Sequence, residues 1–425
     1  MSLYAQKSND SARLHQPHQV RGEAGNHYAL YFPFSSIAFG SESVIELQSV
    51  PMEVDDAYLV FSQAVLATTT SPGLVQTPFY ISSQGVQLRY ADQTVYTMTP
   101  EECYSYPIIN AKNEGEVLRF LQLINEGQVP AIKGKDQKND AAGLRFIPLK
   151  PMVDKWLSQI GPLSAYPAGK WSISAPFVTS LASVATSASD STAATGGAIS
   201  GLNLLLTGHS ENSENAGRFA KALSDDGVEF TFLQPVQFSQ TTTAGDDTAQ
   251  ILMNSLQGDL DNMVVMERVT ANLISTTPDT NCKTQWALYP LATDTISVGT
   301  SSNPTYLYGK PLPQELLRLG VMGRNGVSFG GSYISRGSPI IDDPITENGD
   351  LPRVVNTSIK VLNCSENSSM SQEVGAYSGS VRVFNDWQMN YAFGSSGNTA
   401  DTITVIAYLR KKAVVSYGGV SISDE

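Results

Sequence analysis

Four histidines, His15, His18, His27 and His209, are the only imidazoles this chain has to offer as general bases or metal ligands. His15 and His18 have the i, i+3 spacing that lets two rings share an ion on a helix, but no helical pattern surrounds them, so a solvated pair is expected. His209 ends a strand-like run beside a polar loop. Acidic neighbours recur at Asp55-Asp56, Asp225-Asp226, Asp246-Asp247 and Asp342-Asp343. Adjacent side chains on an extended chain point to opposite sides, so such pairs are poorly built to act together as general acid and base. Loop solvation accounts for them. Calcium at one of the loops is the minor alternative, because a hard cation needs several oxygens and each loop supplies few.

Other chemistry-bearing patterns are weak. Cys103, Cys282 and Cys364 are odd in number, far apart and form no CxxC or Cys/His pair, which points to reduced, mostly buried thiols. HExxH and GxxxxGK[ST] are missing and no GxSxG nucleophile elbow is read, while Gly320–Gly326 matches only GxxGxxG after a helical run, which suits a turn better than a phosphate cradle. Arg410-Lys411-Lys412 suits either a phosphate or anionic lipid head group, or simply the charged end of an edge strand. Trp156, Trp171, Trp286 and Trp387 are scattered as core or interface anchors are, not spaced as a base-stacking platform. The Asn-x-Ser/Thr matches at Asn9, Asn356, Asn363 and Asn367 are read as chance in a chain rich in Asn and Ser with no leader sequence. No residue is assigned to catalysis, cofactor binding or metal ligation, and the chain is not read as an enzyme.

At 425 residues the chain exceeds one ordinary core, so two domains are expected. Hydrophobic residues make up 41% and charged residues only 16%, a globular balance low in charge, as in proteins of many strands and turns. The formal net charge of −13 argues against direct coating of a genome, and the first thirty residues carry only Lys7, Arg13 and Arg21 against Asp10 and Glu23. An acidic surface beside another protein is permitted, as is a membrane reached through a short N-terminal segment. No run of 18 apolar residues occurs, so neither a signal peptide nor a membrane span is expected.

The elements that would position these residues are mostly strands. Residues 1–27 are polar and patternless, an arm expected to order on assembly. Alternation starts at Tyr28–Phe32 and continues through Ser43–Val50 and Ala57–Leu66. Val86–Tyr90 and Thr94–Met98 form a hairpin around Ala91-Asp92-Gln93. Thr99-Pro100-Glu101-Glu102 then reads as a capped helical turn with Glu102 completing a capping box. Helical spacing recurs at Asn113–Glu126, Val153–Ile160, Ser213–Leu223 and Pro313–Leu319. Strands follow at Leu144–Leu149, Trp171–Phe177, Leu202–Leu206 and Val228–Phe232. The strongest is Thr402–Leu409. The boundary falls at Ser224–Gly227, giving residues 28–226 and 227–425 as two halves of similar texture, a sandwich or barrel pattern with no residue repeat between them.

In this layout the chain resembles the double jelly-roll major capsid proteins of tailless icosahedral viruses, many of which enclose a membrane. The resemblance rests on YALYFPFSSIAFGSESVIEL after the arm, on QGVQLRYADQTVYTMTPEE, and on the closing TITVIAYLRKKAVVSYGGVSI. It implies an all-β chain of two antiparallel jelly-roll β-sandwich domains with a few short helices in the connections. It further implies assembly of three copies into a pseudo-hexagonal capsomer of an icosahedral shell, with segments such as 179–200 and 239–250 as outer decoration. Expected partners are other copies of the chain, neighbouring capsomers, minor capsid proteins and a membrane beneath the arm, with no strong nucleic-acid binding. The expected location is the virion shell, after synthesis in the host cytoplasm. A single elaborated jelly roll, a receptor-binding or fibre sandwich and a carbohydrate-active β enzyme stay open as alternatives.

Overall fold

The computed structural model describes residues 27–33, 41–63, 72–74, 85–110, 120, 143–176, 185–187, 199–211, 213–269, 295–300, 303–308, 359–363, 381–383, 386–393 and 401–424. The alternating runs become two pairs of antiparallel sheets. In the first pair, one sheet has the order β1 (His27–Pro33), β10 (Ile199–Ser210), β3 (Met52–Gln63), β7 (Gly143–Pro148). The other has β2 (Glu42–Glu46), β8 (Trp171–Pro176), β5 (Val86–Tyr90), β6 (Gln93–Met98). A small ribbon of β4 (Pro72–Leu74) and β9 (Ala185–Ser187) stands apart.

The later strands repeat this winding. One sheet follows β11 (Val228–Thr241), β19 (Asp401–Ser416), β13 (Gly258–Val269), β16 (Ile359–Asn363), with β17 (Val381–Val383) added on β13 and β20 (Gly419–Asp424) on β19. Its companion follows β12 (Thr248–Leu252), β18 (Trp387–Ala392), β14 (Thr295–Thr300), β15 (Asn303–Tyr308). Counted within each half, without the ribbon and the added strands, one sheet reads first-eighth-third-sixth and the other second-seventh-fourth-fifth, in both halves. That is the jelly-roll winding, made twice. No residue repeat announces it, because a fold of this kind needs only matching polarity patterns and turns.

Among the described residues the helical passages include α1 (Pro100–Ile109), α2 (Lys150–Met152) running on into a π turn at Val153–Leu157, a short 3-10 turn at Leu163–Ala165, and α3 (Ser213–Asp225). Thr99 Oγ1 accepts from the Glu102 backbone N–H at 3.2 Å, so the expected cap forms, and it opens a full helix instead of a single turn. The expected capping box does not close. The Glu102 side chain turns inward and accepts from Tyr96 and Lys155 instead. The hairpin turn is tighter than expected: Gln93 already pairs with Tyr90, which leaves Ala91 and Asp92 as the turn, with Ala91 at φ 51°.

Packing explains why Thr402–Leu409 lacks alternation. Ile403, Val405, Ala407 and Leu409 of β19 point into the core of the second sandwich with Met263 and Val265 of β13. Ile406 and Tyr408 point the other way, with Val264 and Met266, into a core shared with the first sandwich. A strand covered on both faces reads as a continuous apolar run. The sheet containing β19 is therefore a partition between the two sandwiches.

Some expectations shift. Residues 239–250 are not an insert: they are the end of β11, a turn and the start of β12. Asp55 and Asp56 lie inside β3, not in a loop. The arm apart from His27, the segments 179–184 and 188–198, the helical runs at 113–126 (Phe120 apart) and 313–319, the glycines at 320–326 and Asp342-Asp343 lie outside the described residues. The same holds for His15, His18, Cys282, Cys364, Trp286, Asn9, Asn356 and Asn367.

Candidate functional site

The most elaborate side-chain architecture is the seam where the first sandwich meets the partition sheet. The π turn after α2 brings Lys155 and Trp156 there. A π turn adds one residue to the helical repeat, seen in the Ser158 N–H bond to the Val153 carbonyl, and so re-aims successive side chains. Trp156 is fully buried and meets Phe230 edge-on at 5.2 Å between ring centroids, Phe232 at 4.8 Å and Trp171 at 6.4 Å. Phe230 and Phe232 are the inward positions of β11, so the alternation that defines that strand also supplies the aromatic wall.

Lys155 carries its charge into the same seam, with only 5% of its surface exposed. Its ammonium donates to Glu102 and, at 3.3 Å, to the Tyr96 hydroxyl. It sits over three tyrosine rings: Tyr408 at 4.3 Å, Tyr106 at 5.0 Å and Tyr96 at 5.5 Å. Glu102 is completely buried, and a charge without water is tolerable only with a partner this close. Burial first, then the Glu102 carboxylate, pushes the Tyr96 hydroxyl and the neighbouring Cys103 thiol well above their ordinary pKa values. Cys103 is therefore a neutral, buried, unoxidised thiol, as its sequence suggests.

The β19–β20 turn closes the seam from the far end. Tyr90 Oη donates to the Ser416 carbonyl at 2.7 Å, and Tyr417 Oη donates to the Ala165 carbonyl at 2.9 Å. Each bond joins one sandwich to the other. Together with the aromatic contacts they pack the two sandwiches against each other along a specific seam.

The charged residues singled out in sequence are placed as follows. Arg410, Lys411 and Lys412 lie on β19, which is flanked by β11 and β13 and is not an edge. Arg410 binds Asp261 at 2.7 Å, Lys411 pairs with Asp424, and Lys412 meets Glu229 at 2.6 Å. Three neighbouring strands thus absorb the trio, and it is not a free anion site. Asp246 accepts from the backbone N–H and hydroxyl of Thr243, which lower its pKa and fasten the β11–β12 turn. Asp56 is half-buried beside Asp154 and Lys150, and burial raises its pKa.

His209 does stand at the end of a strand, one residue before the last of β10, but it is 5% exposed and lies opposite Glu53 of β3. Its Nδ1 lies 3.0 Å and 3.1 Å from the two carboxylate oxygens of Asp55, and its Nε2 lies 3.3 Å from Glu53 Oε2. Burial and then Glu211 push the Glu53 carboxyl up to about 7, with His209 acting in the opposite sense. Sequence reading missed this cluster because its members come from two strands. The available signal was the close spacing of acids and imidazole, Glu53/Asp55 and His209/Glu211, each pair two residues apart.

No protein-family model and no curated protein matches the chain. Solved structures do match in fold. A structure of PBCV-1 VP54, fitted into a reconstruction of the virophage Sputnik, aligns with a TM-score of 0.61 at 12% identity over 96% of this chain and 99% of that one. The Sputnik virophage structure aligns at 0.56 and 9% identity over 95% and 90%. The Faustovirus major capsid protein aligns at 0.55 and 11% over 94% and 92%. What the chain shares with them is the double jelly-roll fold along nearly its whole length.

Proposed function

We propose that this chain is a structural major capsid protein that builds an icosahedral viral shell through trimeric capsomers and performs no catalysis. The observation that carries the reading is the double winding: two sandwiches of identical strand order in one chain, joined through a buried aromatic seam. Three such chains around a threefold axis place six similar sandwiches in a ring, so a trimer presents a nearly hexagonal outline that tiles a surface. The solved structures of like fold include a protein named as a major capsid protein, which supports the same reading.

In this reading residues 28–226 and 227–425 are the two jelly-roll domains, and α3 is the bridge between them. Residues 1–27 are an assembly arm that reaches a neighbouring capsomer or an underlying membrane. Other copies of the chain are the principal partner, minor capsid proteins are secondary ones, and the working location is the virion shell after synthesis in the host cytoplasm. Each capsomer contact needs at least about 1,000 Å² of complementary surface to be stable. The acidic balance of −13 suits a shell that faces protein or membrane instead of bare nucleic acid.

Negative-stain imaging of the purified full-length chain tests the reading. Uniform closed shells or hexagonal trimers support it. Shells with no stable trimer favour assembly by another capsomer, and elongated or monomeric particles at every concentration favour a receptor-binding or fibre protein.

A further inference from the structure

We propose that His209, Glu53 and Glu211 form a site for a divalent transition-metal ion, with zinc as the fitting chemistry, on the first sandwich. The proposal does not depend on the capsid reading. One candidate ligand atom from each of the three residues lies within 4.8 Å of the other two, close enough for one small ion to touch all three.

The decisive feature is the placement of the His209 ring. Its Nδ1 is taken up by the two Asp55 oxygens at 3.0 Å and 3.1 Å, which leaves Nε2, on the Glu53 side, as the ring atom that can meet an ion. Nε2 is buried and makes no hydrogen bond, although Glu53 Oε2 stands 3.3 Å away. A divalent cation placed there would bond the Nε2 lone pair of a neutral ring and the Glu53 carboxylate together. A carboxylate behind a ligating imidazole is the arrangement that fixes tautomer and ring orientation at metal centres.

The backbone holds this geometry in place. The β3–β10 pairing shifts register between Thr207 and Gly208, which leaves Asp55 as the extra, bulged residue. Bulges re-aim side chains, and here Asp55 is turned onto the imidazole. Gly208 permits the close approach of the strands, since a Cβ there would lie 1.9 Å from the Glu53 carbonyl oxygen. Glu211 is steadied from the far side, where Asn215 Nδ2 donates to its Oε1 at 2.6 Å, and its backbone N–H binds the Pro51 carbonyl at 3.1 Å. One imidazole and two carboxylates are a ligand set that suits tetrahedral zinc, which commonly takes water as its fourth ligand. Calcium and magnesium seek six or more oxygens and gain little from an imidazole. A bound ion would tie β3, β10 and the approach to α3 together at one point.

The test uses the full-length chain, stripped with chelator, and titrated with Zn²⁺ alone by calorimetry and with Co²⁺ alone by visible absorption. The expected result is one saturable site per chain, d–d bands in the Co²⁺ form, and no comparable heat from Ca²⁺ or Mg²⁺. His209→Gln and Glu53→Gln should each weaken Zn²⁺ binding at least tenfold. Asp55→Asn should weaken it by about 10–100-fold, as loss of an orienting carboxylate does. A triple change of His15, His18 and His27 to Gln should leave it intact. Absence of saturable Zn²⁺ binding and of Co²⁺ bands in the unaltered chain overturns the proposal whatever the variants do. So does undiminished binding in folded His209→Gln, with folding checked by circular dichroism.

Discussion

The Lys155 ammonium lies 4.3 Å from the centroid of the Tyr408 ring, so a cation of the first sandwich is seated on an aromatic face of the second. The same ammonium is held by Glu102. The hairpin strand that supplies Tyr96, helix α1, the π turn and the central strand β19 thus converge on one buried charge. Four elements from both halves share it, which makes the seam a point of registration as well as of adhesion.

Lys155→Met should destabilise the chain by about 3–5 kcal/mol, because it leaves the buried Glu102 carboxylate without a counter-charge. Adding Glu102→Gln removes that charge, keeps an acceptor for the Tyr96 hydroxyl, and should recover most of the loss. Equilibrium unfolding in guanidinium chloride measures both. Equal destabilisation of the single and double variants would show that the two residues are not coupled.

Trp156→Ala should cost about 3–5 kcal/mol, the usual penalty for emptying a large buried aromatic site. Trp156 touches Trp171 on one side and Phe230 and Phe232 on the other, so the damage should cross the seam. Hydrogen exchange should quicken in Trp171–Pro176 and Val228–Thr241 together. Loss of protection on one side alone contradicts the shared core.

Asp56 supplies a pH signature. Burial raises its folded pKa above the ordinary 3.8, with Asp154 and Asp55 adding to the rise and Lys150 opposing it. A carboxyl with a raised folded pKa contributes stability that is full below its unfolded value and is lost as pH rises through its folded one. The unaltered chain should therefore lose stability relative to Asp56→Asn as pH climbs from about 4 through the folded value. Thermal melts of both proteins across that window check it, and a difference that runs the other way refutes it.

Removal of residues 1–27 should leave a soluble trimer and impair shell formation. Size-exclusion chromatography and imaging of the truncated chain decide this, and unimpaired shells remove the arm from the assembly scheme.

Much of the fold was legible in sequence because strands with one wet face alternate, as Val86, Leu88 and Tyr90 do against Gln87 and Arg89. The Thr99 cap and the helix at Ser213–Asp225 were also legible, being local patterns. Pairings between distant residues were not. Lys155 looks like an ordinary surface charge until Glu102, 53 residues earlier, is packed against it. Arg410-Lys411-Lys412 looks like a basic patch until Asp261, Asp424 and Glu229 arrive on neighbouring strands. The His209 cluster needed the β3–β10 register, including a bulge that no local pattern marks. Thr402–Leu409 was recognisable as a strong strand, while its role as a partition depended on what covers its second face.

The most direct test of the central claim is the mass of the full-length chain in solution, by light scattering on the eluate of a size-exclusion column. The account predicts a species of three chain masses that persists on dilution and converts to shells as concentration rises. A single-chain mass at every concentration, with no larger closed particle, would contradict it.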